Sequence, residues 1–329
     1  MKQSARTTAL RPAHRSLVVY GVALAISLAI ASNQAVAEPA GRSQGQLLRK
    51  GYESQVTGER REYFVYLPTG YHTEPGKRWP VILFLHGGGE RGNAMEDLDR
   101  ILVHGPVAEA WIQGRDLPFI MISPQMPLFD RPRRSSDQPA PKRIEDGPPP
   151  PRRYGRRPQQ PMARVTDLSL PSFTASASRE SWTRMEGEVL AMVDATLSEF
   201  RSDQDRVYLT GLSFGGAGTW HLAMADPNRW AAVAPICGPG DPSRVDRIAD
   251  AKLPVWVFQG GRDTVVRPER VLETVVALEA AGHPDVRFTV HEDLGHNVWT
   301  RVYEGWDLYE WFLAHRRQTE EIRAEAPPD

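Results

Sequence analysis

The chain has 329 residues, 40% of them hydrophobic and 25% charged, so it is long enough to bury one large core. Its formal net charge of -1 offers no electrostatic footprint for nucleic acid, and we expect no nucleic-acid partner. The single cysteine, Cys237, excludes an internal disulfide and a cysteine-based zinc site, and its place after an apolar run indicates a small buried residue.

The first 37 residues are typical of an export signal. Basic residues from Lys2 to Arg15 precede an apolar run from Leu17 to Ala31, and Ala35-Val36-Ala37 is a small-residue cleavage motif. No adjacent arginine pair comes before the apolar run, which favours a Sec-type route. An uncleaved anchor is the alternative, but the run is short for a span of about 20 residues. We therefore expect cleavage after Ala37, a periplasmic or secreted protein, and no stable membrane insertion afterwards.

The remaining chain divides by its patterning. Residues 38–50 predict a flexible tail, 51–318 predict one folded domain, and 319–329 predict a C-terminal tail. The domain opens with two strand-like runs between Gly51 and Leu67, which predict an antiparallel hairpin.

After this hairpin, apolar strands and amphipathic helices alternate along the chain. Such alternation predicts the α/β class, with a mostly parallel central sheet and helices on both faces. The predicted strands are 80–85, 118–123, 206–212, 231–236, 254–259 and 286–291. The predicted helices are 94–113, 184–201, 215–225, 268–281 and 302–316. Only about sixteen residues separate Cys237 from the strand at 254–259, so we expect no large lid domain.

Residues 127–178 interrupt the pattern with a segment rich in proline and arginine. It contains the run Pro148-Pro149-Pro150-Pro151 and twice as many basic as acidic residues. A segment of this composition cannot bury enough apolar surface to offset its ordering entropy, which predicts a disordered insertion. The alternative is a basic flap that attracts an anionic polymer or a membrane surface.

The strand predicted over 80–85 ends in His86-Gly87-Gly88-Gly89. A glycine-rich loop at this place can present rigid backbone N–H groups to a developing negative charge, and each such donor is worth about 3–4 kcal/mol. We expect Gly88, or alternatively Gly89, to supply one donor of an oxyanion hole and Phe214 to supply the other. His86 is expected to brace the loop rather than to act as a base.

The pentapeptide Gly211-Leu212-Ser213-Phe214-Gly215 joins a β-prone run to a helical one. A sharp strand-to-helix turn requires glycine on both sides, because a Cβ atom there would clash with nearby backbone. The turn presents the Ser213 hydroxyl at a helix N-terminus, where negative charge is stabilised. The sequence therefore predicts that Ser213 is a nucleophile, the competing interpretation being an ordinary turn serine.

Two further residues follow in an order that suits this nucleophile. Asp263 comes just after the strand at 254–259, and His296 comes in the loop before the last helix. Because a serine hydroxyl needs a base within hydrogen-bond reach, His296 would take its proton, while Asp263 would orient the imidazole and stabilise its charged form. Asp293 is the competing acid, but it is too close to His296 in sequence for the usual geometry.

Two tryptophans are candidates for walls of the site. Trp299 follows His296 by three residues, and Trp182 stands near the start of the helix after the insertion. Trp299 is equally compatible with a place in the core.

A set of motifs gives the chain a family resemblance over roughly 55–126 and 180–316. The motifs are Leu85-His86-Gly87-Gly88-Gly89-Glu90-Arg91-Gly92, Ser123-Pro124-Gln125, Thr210-Gly211-Leu212-Ser213-Phe214-Gly215-Gly216, Pro235-Ile236-Cys237-Gly238, Gly261-Arg262-Asp263 and Gly295-His296. With them the chain resembles secreted esterases grouped with polyhydroxybutyrate depolymerases, feruloyl esterases and "predicted peptidases", which are similar to dienelactone hydrolases. The resemblance implies the α/β-hydrolase fold and a serine hydrolase that uses no metal and no cofactor.

The chain departs from the family pattern in two places. Phe214 stands where the family has a methionine-type residue, and the segment 127–178 replaces a short link that leads to Trp182. Both differences lie on the side where the resemblance would place the substrate.

The leading hypothesis is a secreted serine hydrolase that cleaves small or polymeric carboxylic esters through an acyl-enzyme, with 51–318 as its catalytic domain. A serine peptidase of the prolyl-oligopeptidase-like type would use the same three residues, although such peptidases usually carry a large gating domain. A non-catalytic binding protein on the same fold is a third hypothesis.

Overall fold

A computed structural model describes residues 45–129 and 175–317 of the protein, the side chains of 175–177 excepted. The strands are β1 Gln46–Glu53, β2 Arg60–Leu67, β3 Trp79–Leu85, β4 Ile120–Pro124, β5 Ser202–Leu212, β6 Ala232–Ile236, β7 Val255–Gly260 and β8 Val286–His291. The helices are α1 Ala175–Glu199, α2 Phe214–Ala225, α3 Asp246–Asp250, α4 Pro268–Ala280, α5 Trp299–Glu304 and α6 Asp307–Leu313. The export signal, most of the predicted insertion and the C-terminal tail lie outside the described residues and stay predictions.

The eight strands form one sheet in the order β1-β2-β4-β3-β5-β6-β7-β8. β1 pairs with β2 and β2 with β4 in antiparallel fashion, and every later neighbour pair is parallel. The α/β-hydrolase fold, with a mostly parallel sheet and a leading antiparallel pair, is therefore confirmed.

Successive residues along each strand point alternately to the two faces of the sheet, and an apolar layer covers each face. Along β3, Val81, Leu83 and Leu85 pack on the face covered by α1, α2, α3 and α4. Ile82 and Phe84 point to the other face, which α5, α6 and the segment 98–112 cover. Because both faces are buried, the central strands carry continuous apolar runs, the pattern that predicted them.

The first strand begins earlier than the sequence predicted. β1 starts at Gln46, inside the range 38–50 that we assigned to a flexible tail, so that assignment is wrong for its last five residues. The residue pairs run from Gln46 with Leu67 to Glu53 with Arg60. The residues of β1, QLLRKGYE, do not alternate between apolar and polar types, the pattern by which a half-buried strand is recognised.

The helix predicted over 94–113 is wrong. The chain instead makes a 3₁₀ helix at Leu98–Val103 and a single π-helical turn at Ala108–Ile112. Gly105 separates them with a φ of +94°, and a Cβ atom there would overlap the ring of Phe84. Pro106 follows and disfavours helical geometry at the residue before it. The chain therefore breaks where the apolar spacing alone suggested continuity.

Two other helices differ from their predicted bounds. α1 begins at Ala175, nine residues before the predicted start and inside the predicted insertion. The predicted last helix divides into α5 and α6, because Gly305 ends α5 in an extended conformation (φ −73°, ψ 173°).

The connection between β6 and β7 is short and local. Residues 237–254 contain only one 3₁₀ turn, Pro242–Arg244, and the five-residue helix α3. No helix in the described part of the chain combines the length and apolar character needed to cross a bilayer.

Candidate active site

The carboxyl ends of four adjacent parallel strands, β3, β5, β6 and β7, lie along one edge of the sheet. Leu85 at the end of β3 pairs with Gly211 of β5, and Ile236 at the end of β6 pairs with Phe258 of β7. The loops that follow these strands therefore meet at this edge, where open α/β sheets place their ligands.

Ser213 occupies the sharp turn between β5 and α2. Its backbone has φ 53° and ψ −113°, a conformation that a residue with a side chain rarely adopts. The turn is held by a 2.8 Å hydrogen bond from the Ser213 N–H to the Ile236 carbonyl and by one of 3.0 Å from Ala217 N–H to the Ser213 carbonyl. The hydroxyl is thus fixed directly before the first residue of a helix.

The two glycines of the pentapeptide permit this turn. A Cβ atom on Gly211 would lie 2.7 Å from the Leu85 carbonyl oxygen, and one on Gly215 would overlap that same oxygen. Backbone cannot move aside as a flexible side chain can. Both positions therefore require glycine for the reason expected from the sequence.

Ser213, His296 and Asp263 form one hydrogen-bonded chain. The His296 Nε2 atom lies 2.9 Å from the Ser213 Oγ atom, and Nδ1 lies 2.7 Å from the Asp263 Oδ2 atom. An ionised carboxylate can only accept hydrogen bonds, so Nδ1 carries the proton and the Nε2 lone pair faces the hydroxyl. The imidazole is held in the tautomer that can accept the serine proton.

Asp263 is buried, with 3% of its surface exposed, and four donors hold its carboxylate. Oδ1 accepts from the backbone N–H groups of Val265 (2.8 Å) and Val266 (2.9 Å), while Oδ2 accepts from His296 and from the Gln259 side-chain amide (3.2 Å). Gln259 is not among the residues predicted from the sequence. Its signal was a polar residue in an otherwise apolar strand, one position before the strand's closing glycine.

Asp293, the competing acid, has a different partner. Its two carboxylate oxygens accept hydrogen bonds of 2.8 and 2.7 Å from Arg301. This bidentate ion pair lies in the loop that leads to His296. The His296 Nδ1 atom is bonded by Asp263 instead.

Gly88 and Phe214, the predicted oxyanion donors, are neighbours. A Cβ atom on Gly88 would lie 3.7 Å from the Phe214 Cβ atom, whereas one on Gly89 would meet no atom within 4 Å. Phe214 is the first residue of α2, so its N–H has no acceptor within the helix. Proximity to Phe214 therefore favours Gly88 over Gly89.

The glycine loop is braced by two of its own side chains. His86 is buried, and its Nδ1 and Nε2 atoms bond the Gly87 carbonyl (2.6 Å) and the Met126 N–H (2.9 Å). Arg91 donates from Nε to the Gly88 carbonyl at 2.9 Å, and its guanidinium lies 5.2 Å from the centre of the Phe214 ring. Arg91 thus contacts both of the residues that are predicted to carry the oxyanion donors.

Glu90 places a negative charge behind this loop. Burial would raise its pKa, but the nearby imidazoles of His86 and His104 outweigh that effect, and the pKa lies below its usual value. Its oxygens are 3.9 Å from His86 Nδ1 and 4.0 Å from His104 Nε2. Glu90 therefore stays ionised.

Cys237 lies beside Asp263 and His296. Its sulfur, an Asp263 oxygen and a His296 nitrogen lie within 4.8 Å of one another, which makes these three residues a candidate metal site. Burial, followed by the charge of Asp263, raises the pKa of the thiol well above its usual value. Metals bind the thiolate, and Asp263 and His296 already bond each other, so the group fits a hydrogen-bonded network better than a metal.

The two tryptophans proposed as walls have different positions. Trp182 is 1% exposed, so its assignment as a substrate wall is wrong. Its ring packs 5.2 Å from that of Phe214 and its indole N–H donates to the Phe214 carbonyl at 2.9 Å, a fit that the absence of a side chain on Gly218 allows. Trp182 therefore packs against the first turn of α2.

Trp299 is half-buried beside the hydrogen-bonded chain. Its ring centre lies 5.2 Å from that of His296, edge-on, and 5.3 Å from that of His104. This position is compatible with a wall at the His296 side of the site.

Comparisons with known proteins agree with this architecture. The model of the dienelactone hydrolase family matches residues 154–319, half of the chain, a range that includes Ser213, Asp263 and His296. A Salmonella typhimurium protein named "Putative carboxymethylenebutenolidase" is 30% identical over 152 residues, which is 40% of this chain and 55% of that protein. The chain thus spans about half the length of this curated relative.

Solved structures with the same fold include two esterases. The crystal structure of a thermostable esterase has a TM-score of 0.55 and 27% identity, covering 82% of this chain and 63% of its own. A ferulic acid esterase has a TM-score of 0.51 and 19% identity, covering 82% of this chain and 99% of its own, a likeness of fold alone.

Proposed function

Since the chain belongs to the dienelactone hydrolase family and is a hydrolase of that esterase type, we propose that it cleaves carboxylic esters through an acyl-enzyme formed on Ser213. The observation that carries the proposal is the chain of hydrogen bonds from Ser213 Oγ to His296 Nε2 (2.9 Å) and from His296 Nδ1 to Asp263 (2.7 Å). This arrangement supplies a nucleophile, a base and an orienting acid in one line.

In the first half of the reaction, Ser213 Oγ attacks the ester carbonyl carbon while His296 Nε2 takes the hydroxyl proton. The carbonyl oxygen becomes an oxyanion and accepts hydrogen bonds from the N–H groups of Gly88 and Phe214. As the tetrahedral intermediate collapses, the bond to the alcohol oxygen breaks and His296 protonates that oxygen. The alcohol leaves, and the acyl group remains on Ser213.

In the second half, a water molecule replaces the alcohol. His296 takes a proton from the water, the oxygen attacks the acyl carbon, and the same two N–H groups stabilise the oxyanion. Collapse breaks the bond to Ser213 Oγ, which regains its proton from His296, and a carboxylic acid is released. Asp263 remains ionised throughout and stabilises the imidazolium.

Two features favour esters over peptides as substrates. An alkoxide is a far better leaving group than an amide anion, so cleavage of an ester depends less than cleavage of a peptide on protonation of the leaving group by His296. The names of two relatives, a "Putative carboxymethylenebutenolidase" at 30% identity and a thermostable esterase at 27% identity, support a hydrolase of the esterase type.

The test is hydrolysis of p-nitrophenyl acetate and butyrate by the purified protein and by Ser213→Ala, with casein digestion alongside. Removing the nucleophile should lower ester turnover by at least about a thousand-fold, because only binding and the oxyanion donors remain. A circular dichroism spectrum and an unfolding curve matching those of the parent protein serve as the control for folding.

Three outcomes would contradict the proposal. Ester turnover that persists in Ser213→Ala would place the nucleophile elsewhere. Casein cleavage without ester turnover would make the protein a peptidase. Inactivity towards both, in a folded protein, would support a binding function.

A further inference from the structure

A second concave site lies beside α2, and we call it the Arg244 cavity. It has a volume of about 150 Å³. Four of its lining residues share one face of α2 at helical spacing, Ala217, Trp220, His221 and Met224, and the others come from α1 and from the loop after β6. Neither Ser213, Asp263 nor His296 is among the described residues that line it.

One part of the wall is apolar. The side chains of Trp220, Met224 and Pro239 contribute to it, and Trp220 is fixed by a 3.1 Å hydrogen bond from its indole N–H to the Gly238 carbonyl. A cavity of about 150 Å³ is the size that holds a benzene ring in a protein interior. The apolar part therefore suits one aromatic ring.

The other part of the wall carries charges, and one of them is not neutralised. Arg179 pairs with Asp241, whose carboxylate also accepts hydrogen bonds from the Ser243 backbone and hydroxyl. Arg244 is half-buried, and its guanidinium makes no hydrogen bond or ion pair with any residue that the structure describes. One positive charge thus faces the cavity without a counterion from the described part of the chain.

The charges of the two arginines also affect the pKa of His221. Its Nε2 atom lies 2.7 Å from the Glu186 carboxylate, while Nδ1 is buried without a hydrogen-bond partner among the described residues. Burial lowers the pKa of His221, Glu186 opposes this, and Arg244 and Arg179 lower it further. The positive charges of both arginines therefore act on this wall of the cavity.

We propose that the Arg244 cavity binds a small aromatic carboxylate, with the ring against Trp220 and Met224 and the carboxylate on the Arg244 guanidinium. A planar guanidinium binds a carboxylate through two parallel hydrogen bonds, which suits a ligand with one anionic end. The site is separate from Ser213, and the proposal does not depend on ester hydrolysis.

The test measures benzoate binding to the full chain by calorimetric titration or by ligand-observed NMR. Arg244→Gln should weaken benzoate binding at least about ten-fold, because it removes a charge-assisted hydrogen bond. Arg247→Gln is the matched control, since Arg247 is exposed on α3 and does not line the cavity; it should change the dissociation constant less than about two-fold. Benzamide, which keeps the ring and lacks the charge, should bind the parent protein about ten-fold more weakly than benzoate.

Ser213→Ala distinguishes this site from the catalytic one and should leave benzoate binding unchanged. Loss of binding in Ser213→Ala would place benzoate at the catalytic serine and overturn the proposal. Equal affinities for the parent protein and Arg244→Gln, with both proteins folded, would also overturn it, as would no saturable binding at millimolar benzoate. None of these readouts requires turnover, so failure of the proposed function would leave this result intact.

Discussion

Asp263 has the most constrained side chain of the hydrogen-bonded chain at the sheet edge. Two backbone N–H groups hold one of its oxygens, and Gln259 and His296 bond the other. Each donor helps to fix the orientation of the carboxylate towards the imidazole. The proposed role of His296 as a base therefore depends on a carboxylate that these four donors hold in place.

Asp263→Asn should lower kcat for ester hydrolysis by about 10⁴-fold, because the amide can donate to Nδ1 and thereby favour the wrong imidazole tautomer. Asp293→Asn is the matched control, since it makes the same change on the loop that carries His296 but its partner is Arg301. It should change kcat less than about ten-fold.

The measurement is the steady-state rate with p-nitrophenyl butyrate for both variants, after their folding has been checked. If Asp293→Asn were the more damaging change, the acid would be Asp293 and the geometry described for His296 would not be the working one.

Residue order and local context could predict Ser213, Asp263, His296 and the Gly88 loop, because each follows a recognisable strand and has a necessary chemical type. Gln259 and Trp182 could not be assigned in this way. Gln259 acts through a contact four residues away in a folded loop, and Trp182 touches Phe214 only after α1 packs on α2. Such contacts depend on the tertiary structure and leave no local pattern.

In the segment between β3 and β4, one glycine determines where helical structure is interrupted. Gly105 has a φ of +94° and packs its backbone against the ring of Phe84. The apolar residues around it have helical spacing, but the helix cannot pass this point. The apolar periodicity correctly predicted which residues here are buried. It wrongly predicted one continuous helix, because a periodic pattern carries no information about contact between the backbone and a ring in the core.

Gly105→Ala should lower the free energy of unfolding by about 2–4 kcal/mol. The alanine would have to adopt a left-handed backbone conformation, and its Cβ atom would also overlap a buried ring. Gly187→Ala is the opposite case. Gly187 lies exposed in the middle of α1, and an added Cβ atom would meet no atom within 4 Å. It should raise the free energy of unfolding by about 0.5–1 kcal/mol.

Urea unfolding followed by circular dichroism measures both changes. Equal effects of the same sign from the two alanines would mean that the contact between Gly105 and Phe84 does not constrain the native state.

At the scale of the whole molecule, burial of histidines on different elements should set the response to mild acid. Burial lowers the pKa of His221 on α2, of His283 after α4 and of His291 at the end of β8 below the usual value of 6.5. Below pH 6.5 the unfolded chain takes up protons at these positions before the folded chain does. The free energy of unfolding should therefore fall as the pH drops from 6.5 through the lower folded-state pKa values.

Urea midpoints measured between pH 8 and 5 test this expectation. His283→Gln should reduce the fall, because burial lowers the pKa of His283 and its Nδ1 atom accepts a hydrogen bond from the Asp285 N–H (3.1 Å), which a protonated ring could not do. His72→Gln replaces an exposed histidine and should leave the slope unchanged. A midpoint that is constant from pH 6.5 to 5 would show that these rings do not couple folding to protonation.

Cys237, the single cysteine of the sequence, is fully buried beside Asp263 and His296 and retains its proton. Alkylating reagents and maleimide dyes react with exposed thiolates, so the native protein presents them with no target. A cysteine introduced on the surface would therefore be the one site that a fluorophore or spin label modifies, without prior removal of the native residue. The fold thus provides a background suited to site-specific labelling.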